Sequence, residues 1–270
     1  MASPLFRRAV HAAPIAFAVA WVGVLVLAPL AAMVVHAFGH GLGDVMAALA
    51  SPRVVSALGL SIKLAAIAVV VNTVAGIAIA YVLVRHRFWG RRLFNALIDL
   101  PLATSPVVAG LMLLLLFGPG GWLAGARDLV GEPILFNTPA MILATVFVTS
   151  PFVVREVGPL LAAQGTDEEE AAATLGARPL RIFFGITLPK IRWGLAYGVI
   201  LTCARGLGEF GAVLVVSGAI LGHTETATIF IEMSAHDRDP VAPFAVALAL
   251  ALMAAVLFLS MEILKRARRR

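Results

Sequence analysis

The stretch DEEEAAATLGARPLRIFFGITLPK, residues 167–190, places four consecutive carboxylates inside a chain that is 61% hydrophobic. Thr166 followed by Glu169 fits the T-x-x-E pattern of a capping box, which marks a helix start. Carboxylates in the first turn of that helix interact favourably with the helix dipole. Gly176 stands where a left-handed helix stop is expected, and Pro179 can begin a second helix. The stretch therefore predicts two short helices joined by a tight turn.

The second of these helices has an apolar face formed by Leu180, Phe183 and Phe184. A plain acidic, solvated loop is the alternative interpretation. That interpretation explains neither the ordered start and stop signals nor the apolar side chains. A surface that docks against a partner protein explains both, because exposed apolar patches on otherwise polar loops mark interaction sites.

Charge is scarce in the rest of the chain. Only 13% of its 270 residues are charged and its mean hydropathy is +0.97, whereas a soluble domain carries about 25% charged residues. Six apolar segments reach the ~20 residues that a helix needs to cross a bilayer. These segments are residues 14–35, 64–84, 100–126, 133–154, 193–222 and 240–261. The pattern predicts an all-α integral membrane protein with about six transmembrane helices.

The basic residues are distributed very unevenly between the two sides of this arrangement. Sixteen Lys and Arg fall in the termini and in the loops on the side of the N-terminus, and three fall in the outer loops 37–56, 118–132 and 221–239. Cytoplasmic loops carry such an excess, so both termini are expected in the cytoplasm. Topology then accounts for the net charge of +6, and nucleic acid is not expected as a partner.

The first apolar segment follows Arg7 and Arg8, as a signal peptide would. Its 22 residues exceed the 7–15 apolar residues of a signal-peptide core, so a retained first span is the prediction. The chain is divided into an N-terminal tail, span and outer loop (1–55), a transmembrane domain (56–264) and a basic tail (265–270). A long cytoplasmic loop lies within the transmembrane domain at about 155–192.

Two sequence features predict special helix geometry. Pro101 and Pro106 lie at the start of the third segment, and a proline suits a first helical turn, so a bent or late-starting helix is expected there. A kink that serves a gate is the alternative. In the fifth segment small residues recur at intervals of four, which favours close helix packing. The pairs are Gly194 and Gly198, Ala204 and Gly208, and Gly208 and Ala212.

Several kinds of chemistry are excluded by the residues. A nucleotide-binding loop ends in G-K-[ST], but the three lysines follow Ile62, Pro189 and Leu264, so the chain is not expected to hydrolyse ATP. The H-E-x-x-H motif of a helical zinc site and the G-x-S-x-G elbow of a serine hydrolase are both absent. The single cysteine, Cys203, permits no internal disulfide.

The long cytoplasmic loop resembles the signature loop of ABC importer membrane subunits, whose pattern is E-A-A-x3-G-x9-I-x-L-P. The matching residues are Glu170, Ala171, Ala172, Gly176, Ile186, Leu188 and Pro189. In that family the loop forms coupling helices that sit in a groove of a separate ATPase subunit. The resemblance therefore implies an ABC importer permease (MetI-like) core, with these seven residues coupling it to the ATPase.

The wider chain, from about residue 56 onward, is similar to sulfate/thiosulfate permease subunits of the CysW type. The similar stretches include SPVVAGL at 105–111, QGTDEEEAAATLGA at 164–177, KIRWGLAYGVIL at 190–201 and ARGLGEFGAVLVVSG at 204–218. Molybdate/tungstate permeases share the A-R-x-L-G-E-F-G-A element and remain the alternative within the family.

The resemblance also implies partners and a location. We expect a second, related permease subunit, two copies of an ATPase that bind ATP and Mg, and an extracytoplasmic sulfate-binding protein. The chain itself is then expected to need no cofactor and no metal. Its place would be the plasma (inner) membrane of a prokaryote, surrounded by lipid, with sulfate or thiosulfate as the transported anion.

Charges inside the predicted spans form the second candidate site. Arg205 lies 12 residues past Trp193, which is about 18 Å into the membrane, and Glu209 follows one turn later. Charges at this depth are paired, buried or facing a wet cavity. The pair is interpreted either as a lock that fixes helix packing or as a contributor of positive potential to an anion pathway. Lys63 is expected near the outer end of the second span, where it can snorkel or attract anions.

Two other classes of function were weighed. A secondary anion transporter is expected to show a pair of interrupted half-helices in corresponding positions, and none is evident in the sequence. An intramembrane hydrolase would need a nucleophile beside a base, and the nearest approach is Ser217 with His223.

Overall fold

The computed structural model describes residues 4–125, 133–237 and 239–268, and the regular elements in these ranges are all helices. The long helices are α1 (Pro4–Phe38), α3 (Pro52–Arg85), α6 (Thr138–Gln164), α9 (Leu188–Leu207) and α12 (Ala242–Arg268). The shorter ones are α2 (Leu42–Ala50), α4 (Arg91–Ala103), α5 (Pro106–Phe117), α7 (Asp167–Thr174), α8 (Pro179–Ile182), α10 (Gly211–Ser217) and α11 (Ala227–His236). A π-helical turn, Phe183–Thr187, joins α8 to α9.

The prediction of about six spans is confirmed in a modified form. Within the described residues, four helices are individually long and apolar enough to cross a membrane: Pro14–Phe38, Pro52–Arg85, Thr138–Gln164 and Ala242–Ile263. The number rises to six when two bent pairs, α4 with α5 and α8–α9 with α10, each count as one span. The chain is therefore a multi-pass membrane protein in which two of the predicted spans are broken.

The first break separates α4 from α5 by a bend of 113°. Pro106 begins α5, as expected, and Ser105 before it is extended at ψ 136°, because a residue before proline is disfavoured in the helical region. Pro101 does not begin a helix and instead lies buried inside α4. Helix α4 starts at Arg91, so the last residues between the predicted second and third spans and the beginning of the third span form one separate helix.

Helix α6 lies at the centre of the bundle and packs against α3 and α9. Its buried Thr149 hydroxyl accepts a hydrogen bond from the Asn72 side chain of α3 at 2.7 Å, and that amide also donates to the Val146 carbonyl at 3.0 Å. Hydrogen bonds of this kind join helices inside membranes, where apolar contact alone does not distinguish protein from lipid.

The predicted small-residue packing of the fifth span is confirmed at its first pair. A Cβ built on Gly198 would lie 3.0 Å from Val153 Cα of α6, and one built on Gly194 would lie 2.9 Å from the Glu156 carbonyl. The second pair differs, because Gly208 is exposed and ends α9. Ala212 is fully buried and sits against α5, where a Cβ on Gly110 would lie 2.8 Å from the Ala212 carbonyl.

Two predicted outer loops contain helices. The segment 37–56 includes all of α2 and the start of α3, and 221–239 includes α11. The Ser51 and Thr226 side chains accept hydrogen bonds from Val54 and Ile229 and so begin α3 and α11. Residues 126–132, which end the predicted loop 118–132, lie outside the described residues, as do residues 269 and 270 of the predicted basic tail.

Candidate functional site

The loop segment, Gly165–Thr187, stands at the end of the bundle where α3 and α6 end and α9 begins. Its first helix, α7, stops at a left-handed residue as the sequence predicts: Gly176 has φ +81°. The Gly176 N–H donates to the Ala173 carbonyl at 3.0 Å, and the Ala177 N–H donates to the Ala172 carbonyl at 3.0 Å. These two bonds form a Schellman motif, which glycine accommodates without strain.

The predicted capping box is wrong. The Thr166 side chain makes no capping bond at the start of α7 and instead donates to Glu170 Oε1 at 2.6 Å. Glu169, which the pattern assigned to the cap, turns toward the bundle. Its Oε1 accepts from Arg85 Nη2 at 3.0 Å and from Thr187 Oγ1 at 2.8 Å. A partner far along the chain outcompeted the local cap, because Arg85 brings a positive charge that the backbone N–H lacks.

Lys190 at the beginning of α9 contacts both the loop segment and the end of α6. Its Nζ lies 2.5 Å from Glu168 Oε1 of the loop segment, and its carbonyl accepts from Gln164 Nε2 of α6 at 3.1 Å. The loop segment is therefore held by polar contacts at both ends, although none of the residues of α7 or α8 is fully buried.

The outward side of the loop segment carries an apolar tip, which we define as Leu175, Leu180 and Phe184. Their exposures are 88%, 72% and 61%. Phe183 is half-buried and stacks edge-on against Phe184, with ring centroids 5.1 Å apart. The predicted apolar face of the second helix thus divides, with Leu180 and Phe184 facing outward and Phe183 facing the bundle side.

The seven signature residues of the loop differ in their exposure to solvent. Four are exposed and three are half-buried. The exposed residues are Glu170, Ala171, Gly176 and Pro189, and the half-buried ones are Ala172, Ile186 and Leu188. Nothing lies within 4 Å of a Cβ built on Gly176, so within this chain glycine is required there by its positive φ and not by a close neighbour.

The intramembrane charges form an ion pair at the break between α9 and α10. Arg205 Nη1 lies 2.7 Å from Glu209 Oε2. The Glu209 side chain is 1% exposed, whereas that of Arg205 is 33% exposed. Glu209 Oε1 also accepts from the Ala212 N–H at 2.9 Å. One carboxylate therefore neutralises the arginine and caps the first turn of α10.

The chain at this break leaves the helical path at Gly208 and turns by 54° before α10. The freed Glu209 carbonyl accepts from Thr228 Oγ1 of α11 at 2.8 Å. Backbone groups released inside a membrane need such internal partners. The spacing of Arg205 and Glu209 predicts the pair correctly, but the helix that carries it is not continuous as expected. Lys63 is exposed, while Ala65 two residues later packs against Gly206, and the Glu209 carboxylate pairs with Arg205 and not with Lys63.

A third arginine–glutamate pair, at the opposite end of the bundle, was missed by the sequence analysis. Arg53 binds both carboxylate oxygens of Glu225, with Nη2 to Oε1 at 2.7 Å and Nε to Oε2 at 3.0 Å. The guanidinium lies 5.0 Å from the centroid of the Phe230 ring. Arg53 and Glu225 are 172 residues apart, so no local spacing could have revealed the contact. In the part of the chain that is described, no cluster of His, Cys, Asp or Glu is suited to hold a metal ion.

Comparison with known proteins gives this geometry a family context. Residues 72–270 match the model of the binding-protein-dependent transport system inner membrane component family. The chain is 47% identical to the sulfate transport system permease protein CysW of Synechocystis sp. over 93% of this chain and 91% of that protein. It is 48% identical to the protein of the same name from Escherichia coli K12, over 86% and 80% of the two chains.

More distant relatives agree on the architecture. The sulfate transport system permease protein CysT of Salmonella typhimurium is 36% identical over 90% of this chain and 87% of its own length. A membrane chain of a bacterial ABC transporter that imports the polysaccharide alginate has a TM-score of 0.77, covers 99% of both chains and is 16% identical, so it shares the fold. This chain belongs to the family of binding-protein-dependent transport system inner membrane components, the permease subunits of ABC importers.

Proposed function

We propose that this chain is a permease subunit that forms part of the pathway for sulfate, and for thiosulfate as a second substrate, in an ATP-driven importer. The observation that carries the proposal is the 47–48% identity, over most of both chains, to permease proteins of sulfate transport systems. The relatives reported above with sulfate in their names span two kinds of permease subunit, and molybdate or tungstate is not favoured by any of them.

The loop segment is proposed to couple transport to a separate ATPase. Its apolar tip offers a partner three large exposed side chains at the end of the bundle. The seven signature residues, from Glu170 to Pro189, lie in the loop segment or at the first two residues of α9. Because none of the three lysines of the chain belongs to a nucleotide-binding loop, ATP and Mg are assigned to the partner ATPase, in two copies per importer.

The other proposed partners are a second permease subunit and an extracytoplasmic binding protein. The 36% identity to a CysT protein supports a related but non-identical permease partner. A solved alginate transporter with the same fold is in complex with a periplasmic protein, which supports a binding protein as the donor of the anion. Membrane lipid surrounds the remaining apolar surface, including the exposed helix α1.

The orientation proposed for the chain puts both termini and the loop segment in the cytoplasm of a prokaryote, and the opposite end outside the plasma (inner) membrane. The sixteen-to-three distribution of Lys and Arg supports it. A reporter fused after Arg92 or at the C-terminus is expected to be active in the cytoplasm. A reporter fused within 223–238 is expected to be active outside, and cytoplasmic activity there would contradict the orientation.

For the intramembrane pair we propose chiefly a structural role, with Arg205 fixed by Glu209 at the break in the span. The buried carboxylate has two partners and the break depends on it. One-third of the Arg205 side chain remains exposed, which leaves it able to lend positive potential to an anion pathway formed with the second permease subunit.

The decisive experiment is uptake of radiolabelled sulfate in cells that lack this subunit and in the complemented strain. We expect uptake to require the subunit and to be reduced by excess thiosulfate but not by molybdate or tungstate. Competition by molybdate alone would overturn the assignment of the anion. Failure of an ATPase to co-purify with the subunit would overturn the assignment to an ABC importer and favour a secondary transporter.

A further inference from the structure

Four consecutive carboxylates begin α7, and among the residues that the structure describes only one of the four contacts a membrane helix other than α9. Glu168 is 65% exposed and pairs with Lys190, while Glu170 is exposed and bonds Thr166 within the loop itself. Glu169 points the other way. Its carboxylate is 15% exposed and contacts Arg85, the last residue of α3.

Arg85 extends this contact to a third helix. Its Nη1 donates to the Leu161 carbonyl of α6 at 3.2 Å, while Nη2 binds Glu169 at 3.0 Å. The Arg85 side chain is 9% exposed, and its Nε has no hydrogen-bond partner among the described residues. The Glu169 carboxylate is therefore the charge that compensates a largely buried guanidinium.

Thr187 connects the same carboxylate to the helix that follows. It ends the π-helical turn Phe183–Thr187, is buried, and donates its hydroxyl proton to Glu169 Oε1 at 2.8 Å. Leu188, the first residue of α9, comes next. A single oxygen atom of Glu169 thus accepts hydrogen bonds from Arg85 at the end of α3 and from Thr187 just before α9. Helix α6 is connected to the same carboxylate through its hydrogen bond with Arg85.

We infer that Glu169 is the positioning residue through which a displacement of α7 is passed to α3, α6 and α9. The inference rests on the proposed coupling function of the loop segment and goes beyond the signature residues, because Glu169 precedes the E-A-A pattern by one position. The apolar tip would receive the movement of the ATPase. The Glu169–Arg85–Thr187 link would pass that movement to the helices, since partly buried, doubly bonded charges resist separation more than exposed pairs do.

The test uses the assembled importer in proteoliposomes with its ATPase and binding protein. The variants are Glu169→Leu, Arg85→Met and both together, with Glu168→Gln as the matched control from the same turn. Three quantities are measured for each: ATPase that co-purifies, ATP hydrolysed, and sulfate taken up. The deciding readout is the amount of ATP hydrolysed for each sulfate imported, because a purely structural defect lowers hydrolysis and uptake together.

We expect each single variant to lose assembled complex, and the double variant to recover it, because replacing both members of a buried pair by apolar side chains is nearly neutral. In the recovered double variant, ATP consumed per sulfate should rise about tenfold, which corresponds to about 1.4 kcal/mol of lost coupling. Glu168→Gln should change this ratio by less than about twofold, since exposed pairs contribute little.

A double variant that assembles and keeps the wild-type ratio would overturn the inference, and so would an equal rise in Glu168→Gln. If the double variant still fails to assemble, Glu169→Gln is used in its place, because it removes the charge and keeps an acceptor for Thr187. An unchanged amount of ATP hydrolysed per sulfate in Glu169→Gln would also overturn the inference. If the unmutated importer shows no sulfate-dependent hydrolysis at all, the proposed function fails, and that result is distinct from failure of the link.

Discussion

Two arginine–glutamate pairs stand where the helical framework is interrupted, and they differ in how far they reach. Arg205 and Glu209 are four residues apart and hold together the two halves of one broken span. Arg85 and Glu169 are 84 residues apart and hold a loop against three helices. The first pair stabilises the bend between α9 and α10, whereas the second positions the otherwise exposed loop segment against the bundle.

The two pairs have the same chemistry, an arginine with a glutamate, but their side chains are buried to different extents. The extent of burial therefore depends on whether the two partners come from one broken span or from distant elements. In the local pair only the carboxylate is fully buried, because it must also cap α10. In the distant pair both side chains are largely buried, because both elements close over them. In the local pair the arginine stays partly exposed and can interact with a further group. In the distant pair the contact between the loop segment and the helices requires both side chains.

The largest effect is expected from Arg205→Met, which tests whether the local pair is structural. It leaves a carboxylate that is 1% exposed without its counter-charge, at a cost of about 3–5 kcal/mol. Most of the complex should be lost when co-purification with the ATPase is measured. Glu209→Leu should also reduce assembly, with a smaller charge penalty because Arg205 is partly exposed.

The double variant Arg205→Met with Glu209→Leu is the matched control. It should recover most of the assembly but not all, because the Ala212 N–H remains without its acceptor, at about 1–3 kcal/mol. Transport is expected to return in part. Full assembly without any uptake would instead assign the pair to the anion pathway, and wild-type behaviour of both single variants would remove both interpretations.

A somewhat smaller effect is expected at Gly176, where the loop segment turns. Gly176→Asp places a side chain on a residue with φ +81°, a conformation that costs most non-glycine residues about 1–2 kcal/mol and aspartate less, and it adds charge to the exposed surface. The subunit should stay in the membrane while substrate-stimulated ATP hydrolysis falls. Wild-type stimulation in this variant would contradict the coupling assignment.

Gly176→Asn isolates the charge, because asparagine and aspartate both tolerate the left-handed conformation better than most residues. Near-normal hydrolysis with asparagine would show that the charge added by aspartate causes the loss. Loss with asparagine as well would show that the ATPase approaches this position closely, since the chain itself leaves the space around Gly176 empty.

Thr187→Val sharpens the comparison from the side of the distant pair. The substitution keeps the shape of a buried side chain and removes one donor to Glu169, while Arg85 remains bonded. The expected loss is about 1 kcal/mol, so uptake should fall by a few fold with assembly retained. Uptake as low as in Glu169→Leu would mean that the hydroxyl bond, and not the ion pair, carries the link.

The smallest effect is expected from Arg53→Lys at the opposite end of the bundle. Lysine keeps the charge next to Glu225 and loses the two-pronged geometry of the guanidinium and its place near Phe230. Thermal stability of the purified complex should fall by a few degrees, corresponding to about 1 kcal/mol, and coupling should be unchanged. A change in ATP consumed per sulfate would show that the Arg53–Glu225 pair also takes part in coupling.

Features that depend on neighbouring residues were predictable from the sequence. The apolar segments, the left-handed stop at Gly176, the packing of Gly198 and the Arg205–Glu209 pair all follow from spacings of a few residues. The coarse fold followed for the same reason, because each span satisfies its own backbone. The role of the seven signature residues in coupling stays a prediction.

Features that depend on distant partners were not predictable. Glu169 was assigned to a local cap because the pattern T-x-x-E is local, and its true partner comes from the end of α3. At the 113° turn α4 packs on α6 whereas α5 packs mainly on α10, and these distant contacts are not visible in the sequence, although the proline that permits the turn is. The helices within the outer segments 37–56 and 221–239 were hidden because glycine and proline suggested turns.

The π-helical turn determines how the segments before and after it are rotated relative to each other. Each residue of an α-helix advances the side chains by about 100°, and a π turn accommodates one more residue than an α turn without ending the helix. Deleting one residue from Phe183–Thr187 would therefore convert the π turn into a regular α turn, and the segments before and after it would keep nearly their present relative rotation. Winding the same five residues as a regular α-helix would instead rotate α8 by about a quarter of a circle relative to α9. Leu180 would then no longer face outward while Thr187 faces Glu169. The π turn thus acts as an angular setting, and its loss at constant chain length would require a differently shaped partner.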